Sequence, residues 1–208
     1  MKKKILPIIS YIFFDNIKKF IYSLFFLAST FLSAQDIDLF QQFNGNYDFT
    51  AIGNTLNTGP NSCNILTASS ADLTLLPSQT LVSANLYWAG SGGIQLSTYP
   101  GDYQVTLNGT DVIALRTFLN NDIGLSFFGA YADVTDIVAA NGNGTYTLSN
   151  LDLTGNIQNA GNNGIYCAQQ NGSSTDFGGW SIVVIYEDPA LLLNQISLFD
   201  GFEIVSGS

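Results

Sequence analysis

From Gln35 onward the apolar residues come only in short runs rich in Val, Ile, Thr, Phe, Tyr and Trp, each closed by Gly, Asn, Ser or Pro. Runs of that length and composition suit strands rather than helices, which need a longer stretch with a 3.6-residue period. The runs predict strands over Tyr47–Ile52, Ala71–Leu75, Thr80–Trp88, Tyr103–Leu107, Val112–Leu115, Phe127–Ala132, Thr145–Leu148, Trp180–Tyr186, Gln195–Phe199 and Phe202–Val205. Turn formers separate them: Asn57-Thr58-Gly59-Pro60, Gly90–Gly93, Asn108-Gly109, Asn141–Gly144, Gly161–Gly164 and Gly178-Gly179. Trp180–Tyr186 (WSIVVIY) is apolar on both alternating faces apart from Ser181, as a central strand covered on both sides would be. One stretch, Asp133–Ala140 (DVTDIVAA), reads as a short helix that stops at Asn141-Gly142. Many short strands with one helical turn or two predict an all-β sandwich or barrel.

The first 34 residues read differently. Lysines at 2, 3, 4, 18 and 19 precede the apolar stretch Phe20–Leu32, and Ser33-Ala34 supplies a small residue before the cut. This is the pattern of a secretory signal peptide, with cleavage expected after Ala34. The stretch is short for a membrane span, which needs about 20 apolar residues. No later segment is long and apolar enough to cross a bilayer, so no transmembrane span is expected in the mature chain, residues 35–208. That stretch is long enough for a single domain with its own core. The protein is therefore expected to be secreted or on the cell surface. Cys63 and Cys167 both lie beyond the cut, and an even, minimal count in an exported chain favours one disulfide between them over two buried thiols.

The charge excludes several functions. The leader carries +4 (five Lys against Asp15) and the remainder −14 (Arg116 against fifteen acids), together the −10 of the whole chain. With no histidine and a single arginine, the mature chain has almost nothing with which to neutralise phosphates, which argues against nucleic acid as a partner. Serine and cysteine nucleophiles would lack their usual base, and Gly90–Gly93 has no following lysine to make it a phosphate loop. Three acidic pairs, Asp133/Asp136, Glu187/Asp188 and Asp200/Glu203, leave a two-carboxylate glycoside hydrolase as the weakest reading. In this chain acids are also the available solubilising charge. Calcium suits an acid-rich, asparagine-rich chain better than catalysis does, with Asp133 and Asp136 as candidate ligands; Asp133 is equally suited to capping the helix. Trp88 and Trp180 sit inside apolar strands and are expected in the core. Tyr99, Tyr103 and Tyr166 are the candidate ligand contacts, for a carbohydrate above all.

Two resemblances add to this. Val105–Gly109, Val112, Tyr131–Val138 (YADVTDIV), Asn141–Gly144 and Thr145–Leu148 resemble the strand, turn and strand of galactose-binding-like jelly rolls, which implies a jelly-roll-like, antiparallel β-sandwich and points to sugar binding. The blocks Ala84–Gly90 (ANLYWAG), Ala132–Val138 (ADVTDIV), Gly179–Pro189 (GWSIVVIYEDP) and Ser197–Phe202 (SLFDGF) resemble an N-terminal domain of large exported bacterial surface proteins. Many of those are adhesin-like and, in gliding bacteria, carry a sorting domain for type IX secretion. That resemblance implies a non-catalytic extracellular module, possessing no enzyme activity, that forms the N-terminal part of a larger surface protein and meets an extracellular glycan or another surface protein.

Overall fold

The computed structural model describes residues 37–59, 65–91, 101–120, 127–153 and 177–203. Eleven strands and one helix are formed there: β1 (Asp38–Gly45), β2 (Tyr47–Thr55), β3 (Ala68–Leu73), β4 (Thr80–Ser91), β5 (Gln104–Leu107), β6 (Thr110–Ile113), β7 (Arg116–Asn120), β8 (Phe127–Asp133), α1 (Thr135–Asn141), β9 (Gly144–Ser149), β10 (Gly178–Glu187) and β11 (Asn194–Asp200). A five-stranded sheet runs β2-β10-β4-β8-β7 and a four-stranded sheet β3-β9-β5-β6, while β1 and β11 form a separate ribbon. All pairings in them are antiparallel.

With the ribbon and β7 set aside, the eight remaining strands fall in the order 1-8-3-6 in one sheet and 2-7-4-5 in the other. That is the jelly-roll arrangement, two Greek keys wrapped face to face. The fold is thus an all-β antiparallel sandwich with one short helix, as the strand pattern and the first resemblance imply. Between the sheets lie Leu86 and Trp88 of β4, Phe128 and Ala130 of β8, Trp180, Ile182 and Val184 of β10, and Val105, Leu107, Tyr146 and Leu148 from the facing sheet. Trp88 and Trp180 stand directly opposite one another in the β4–β10 register and are 1% and 5% exposed. Each indole N–H has a partner: Trp88 Nε1 donates to Asp102 O at 2.9 Å and Trp180 Nε1 to Ser69 Oγ at 2.8 Å. A buried indole needs such a partner because an unpaired donor keeps its desolvation cost.

Local sequence explains several elements. Asn108 and Gly109 both have positive φ, 48° and 80°, and join β5 to β6 as a two-residue hairpin turn of the kind Asn-Gly favours. Gly53 in β2 meets the neighbouring strand so closely that a Cβ would lie 2.2 Å from Trp180 O, so only glycine allows β2 to pair there. Helix α1 begins two residues later than its composition suggests. Asp133 Oδ1 accepts from Thr135 N at 2.9 Å, and Thr135 Oγ1 accepts from Ala84 N at 2.9 Å, tying the start of the helix to β4.

Four elements differ from expectation. β1 was not predicted: DLFQQFNG alternates poorly, because a register shift between Leu39 and Gln41 breaks the period-two pattern. Of the run Val112–Leu115 only the first two residues are in a strand, ending β6, and β7 after it lies in none of the expected runs. Phe202 and Glu203 are not in a strand; the chain leaves β11 at Gly201, whose φ of 153° takes it out of the ladder. Ile204 and Val205 lie outside the described residues.

The unanticipated part of the architecture is the ribbon. β1 and β2 are consecutive but for Asn46, and β10 and β11 follow them antiparallel, so the four make one long strand pair bent at Asn46. The bend is built from hydrogen bonds: Asp188 N donates to Asn46 O at 2.9 Å, Asn194 Nδ2 to Tyr47 O at 2.7 Å, and Asn46 Nδ2 to Leu191 O. Beyond it the ribbon packs against the outer face of the five-stranded sheet. Phe40 lies edge-on to Tyr131 with ring centroids 4.8 Å apart, and Ile185, on that outer face, is fully buried.

Candidate functional site

The register of the five-stranded sheet places a row of small residues on its outer face. Gly179 of β10, Ala89 of β4 and Gly129 of β8 are successive partners, and Phe118 of β7 stands next in the row. Three neighbouring positions with almost no side chain leave a trough across the sheet, because adjacent rows carry large residues. Tyr87 and Ser181 lie in the next row, toward the ribbon. At the other end Phe177 is held by reciprocal bonds with Ser91, Phe177 N to Ser91 Oγ at 3.1 Å and Ser91 N to Phe177 O at 2.9 Å. Phe177 rests against Phe127 with centroids 5.6 Å apart. Gly201 and Phe202, past the end of β11, complete a cavity of about 360 Å³. Its walls are thus the rings of Tyr87, Phe118, Phe177 and Phe202.

Beside the trough and under the ribbon lies a polar cluster. Tyr131 donates its hydroxyl proton to Asn85 Oδ1 at 3.1 Å, and Asn85 Nδ2 donates to Ser83 Oγ at 3.0 Å, all three residues being buried. Tyr87 packs on Tyr131 at 5.2 Å, and its buried hydroxyl has no hydrogen-bond partner among the described residues. Burial first, and then the negative charge of Asp200, push the Tyr87 phenol well above its ordinary range, while burial and then Asp133 push Tyr131 up to about 12. Neither phenol therefore supplies a phenolate near neutral pH.

Arg116 anchors this cluster. Its Nη2 is 3.0 Å from Asp200 Oδ1, and the guanidinium lies 4.2 Å from the centroid of Phe40 and 5.6 Å from that of Phe118. The two partners differ in exposure: the Asp200 side chain is 3% exposed and that of Arg116 36%. The Asp200 oxygens make no well-directed hydrogen bond despite the short charge contact. Burial consequently holds the Asp200 carboxyl above the usual range although Arg116 pulls it down. Arg116, the single lysine or arginine after residue 19, is a clasp between the ribbon and β7.

The residues expected to carry chemistry fall in separate places. Asp188 accepts from Ala190 N at 3.0 Å through Oδ1 and from Ser78 Oγ at 3.2 Å through Oδ2, so its carboxylate is engaged in the bend. Asp200 is engaged by Arg116, while its pair-mate Glu203 is exposed. Asp133 fastens the turn before α1, and Asp136 is exposed on that helix. Among the described residues no three acidic side chains converge as a metal site. Replacing Asp133 by alanine is expected to cost about 1 kcal/mol by loss of that turn bond, measured as a shift in urea midpoint; an unchanged midpoint would show the bond to be dispensable. Tyr103 lies against the core, edge-on to Phe128 at 5.7 Å, and is not among the residues lining the trough. Tyr99, Tyr166, Cys63 and Cys167 lie outside the described residues, as do residues 1–34, expected to be a signal peptide.

Tyr87, Phe118, Phe177 and Phe202 are not among the candidate contacts that the sequence pattern offers. Nothing local marks Ala89, Gly129 and Gly179 as a row, since strand register alone aligns them. No helix among the described residues is long and apolar enough to cross a membrane. Comparison of the chain with family models, with curated proteins and with solved structures finds no match.

Proposed function

We propose that this protein is a non-catalytic, exported β-sandwich module of the cell surface, adhesin-like in role. The observation that carries the reading is the structural use of the acids. In each of the three pairs that could have served a two-carboxylate hydrolase, one member holds the fold together: Asp133 at the helix start, Asp188 in the bend, Asp200 in the clasp. The basic, apolar leader and the resemblance of the GWSIVVIYEDP block to exported surface proteins support the same reading. That block is strand β10 together with the start of the bend.

Fractionation of the native host with an antibody to the mature domain tests it. The expected result is a shortened chain, lacking residues 1–34, in the surface or medium fraction. A full-length chain retained in the cytosol would overturn the proposal.

Carbohydrate binding, with or without calcium, is the second reading, and the jelly-roll strand order favours it because the middle of the chain resembles galactose-binding-like modules of that architecture. A glycan array probed with the mature domain, once with calcium and once with chelator, tests it. Saturable binding to a sugar supports this reading, and no signal under either condition removes it.

A further inference from the structure

We infer that the trough on the outer face of the five-stranded sheet is a binding site for a small, non-anionic aromatic group. This goes beyond the proposed surface role and stands or falls independently of where the protein is found. Three features select the class of ligand.

The first is size. A cavity of about 360 Å³ is at the lower end for small-molecule sites, which run from roughly 300 to 1,000 Å³. An apolar cavity of about 150 Å³ already admits benzene, so this one accommodates a ligand of one or two fused rings.

The second is the chemistry of the lining. The floor is Gly179, Ala89 and Gly129, in strands paired on both sides, so their peptide groups are used in the ladders and offer a ligand little. Walls of Tyr87, Phe118, Phe177 and Phe202 present ring faces and edges suited to another ring at centroid distances of about 4.5–7 Å. Ser181 is the polar side chain of the lining that is not already buried or bonded, too little for the hydroxyls around a sugar. A sugar buried there would leave most of its hydroxyls unpaired, whereas an aromatic ring loses nothing.

The third is charge. The mature chain carries −14, and its one arginine is engaged with Asp200. An anionic ligand would meet an opposing field and no available cation.

The test uses the mature domain, residues 35–208, and indole as an uncharged two-ring probe, with binding followed by calorimetry and saturation-transfer NMR. Gly129→Leu fills the floor: a Cβ at Gly129 meets Phe118 and Phe202 at ordinary contact distances of 3.5 and 3.7 Å, so the added side chain enters the trough without striking backbone. Phe177→Ala removes a wall from the far end and serves as a second variant should the first fail to fold. The expected result is saturable indole binding, weakened at least about tenfold in either folded variant, and weaker binding of indole-3-acetate than of indole. No saturation by indole, or unchanged affinity in the folded variants, would overturn the inference. Tighter saturation of the same site by methyl glucoside would overturn the aromatic assignment in favour of a sugar.

Discussion

Replacing Arg116 by alanine is expected to lower the unfolding free energy by about 2–3 kcal/mol near neutral pH, a fall in melting temperature of about 4–12 °C for a domain of this size. Asp200→Asn is expected to cost less than about 1 kcal/mol. The asymmetry follows from exposure. Without the arginine, a carboxylate 3% exposed is left buried and unpaired; without the carboxylate, a guanidinium 36% exposed can turn to water. The arginine also loses its stacking on Phe40 and Phe118, so Arg116→Lys, which keeps charge but not the planar face, should fall between wild type and alanine.

The loss should depend on pH in a defined direction. Burial already holds the Asp200 carboxyl above its ordinary value, with Asp38 adding to it and Arg116 opposing. In the alanine variant the opposition is gone and the acid titrates higher still. A folded pKa above the unfolded one means the folded state takes up the proton first as pH falls. The stabilisation from that proton is fully present below the unfolded value and is lost as pH rises through the folded one. The gap between variant and wild type is thus widest near neutrality and narrows in mild acid. Urea unfolding at the two pH values measures it; equal losses in Arg116→Ala and Asp200→Asn, or a gap that ignores pH, would contradict the role given to the clasp.

Trp88→Ala is expected to cost about 3–5 kcal/mol and to bring the domain close to unfolding at ordinary temperature. Trp88 is the largest of the fully buried side chains, and it faces Trp180 across the central strand pair. Its removal opens a void between two sheets that cannot approach without shifting the whole register, which is why relaxation would recover little. Trp88→Phe separates the contributions: it keeps a ring in the core but loses the bond to Asp102 O, and about 1–2 kcal/mol of loss is expected. Chemical denaturation followed by far-ultraviolet dichroism reads both. A loss near zero for the alanine variant would mean that the core closes around the gap.

How much of this was legible depended on how local the cause was. The hairpin at Asn108-Gly109 is a property of two residues that accept positive φ, and it could be read directly. The core placement of Trp88 and Trp180 followed from apolar neighbours on their own strands. WSIVVIY read as a central strand because it is one: it pairs with β2 and β4, its core face is buried, and on its outer face Ile185 is buried while Ser181 and Val183 are half-buried. β1 was invisible because its residues are polar enough to pass for a loop and its bulge scrambles the alternation. The strand expected over Phe202–Val205 is not formed at Phe202 and Glu203: Phe202 looks like a strand residue, but Gly201 before it turns the backbone out of the ladder.

Composition and short-range pattern were enough for the fold class, the punctuation between strands, the excess of acid over base and the identity of the aromatic residues. Each of these depends on one residue or on a few neighbours. Tertiary structure alone decided that Gly179, Ala89 and Gly129 form one row, that Arg116 meets Asp200, and that β1 and β11 leave the sandwich to lie across its outer face. Those facts join residues far apart in the chain through strand register. Register is set cooperatively, by which faces are buried together, so no single segment carries it.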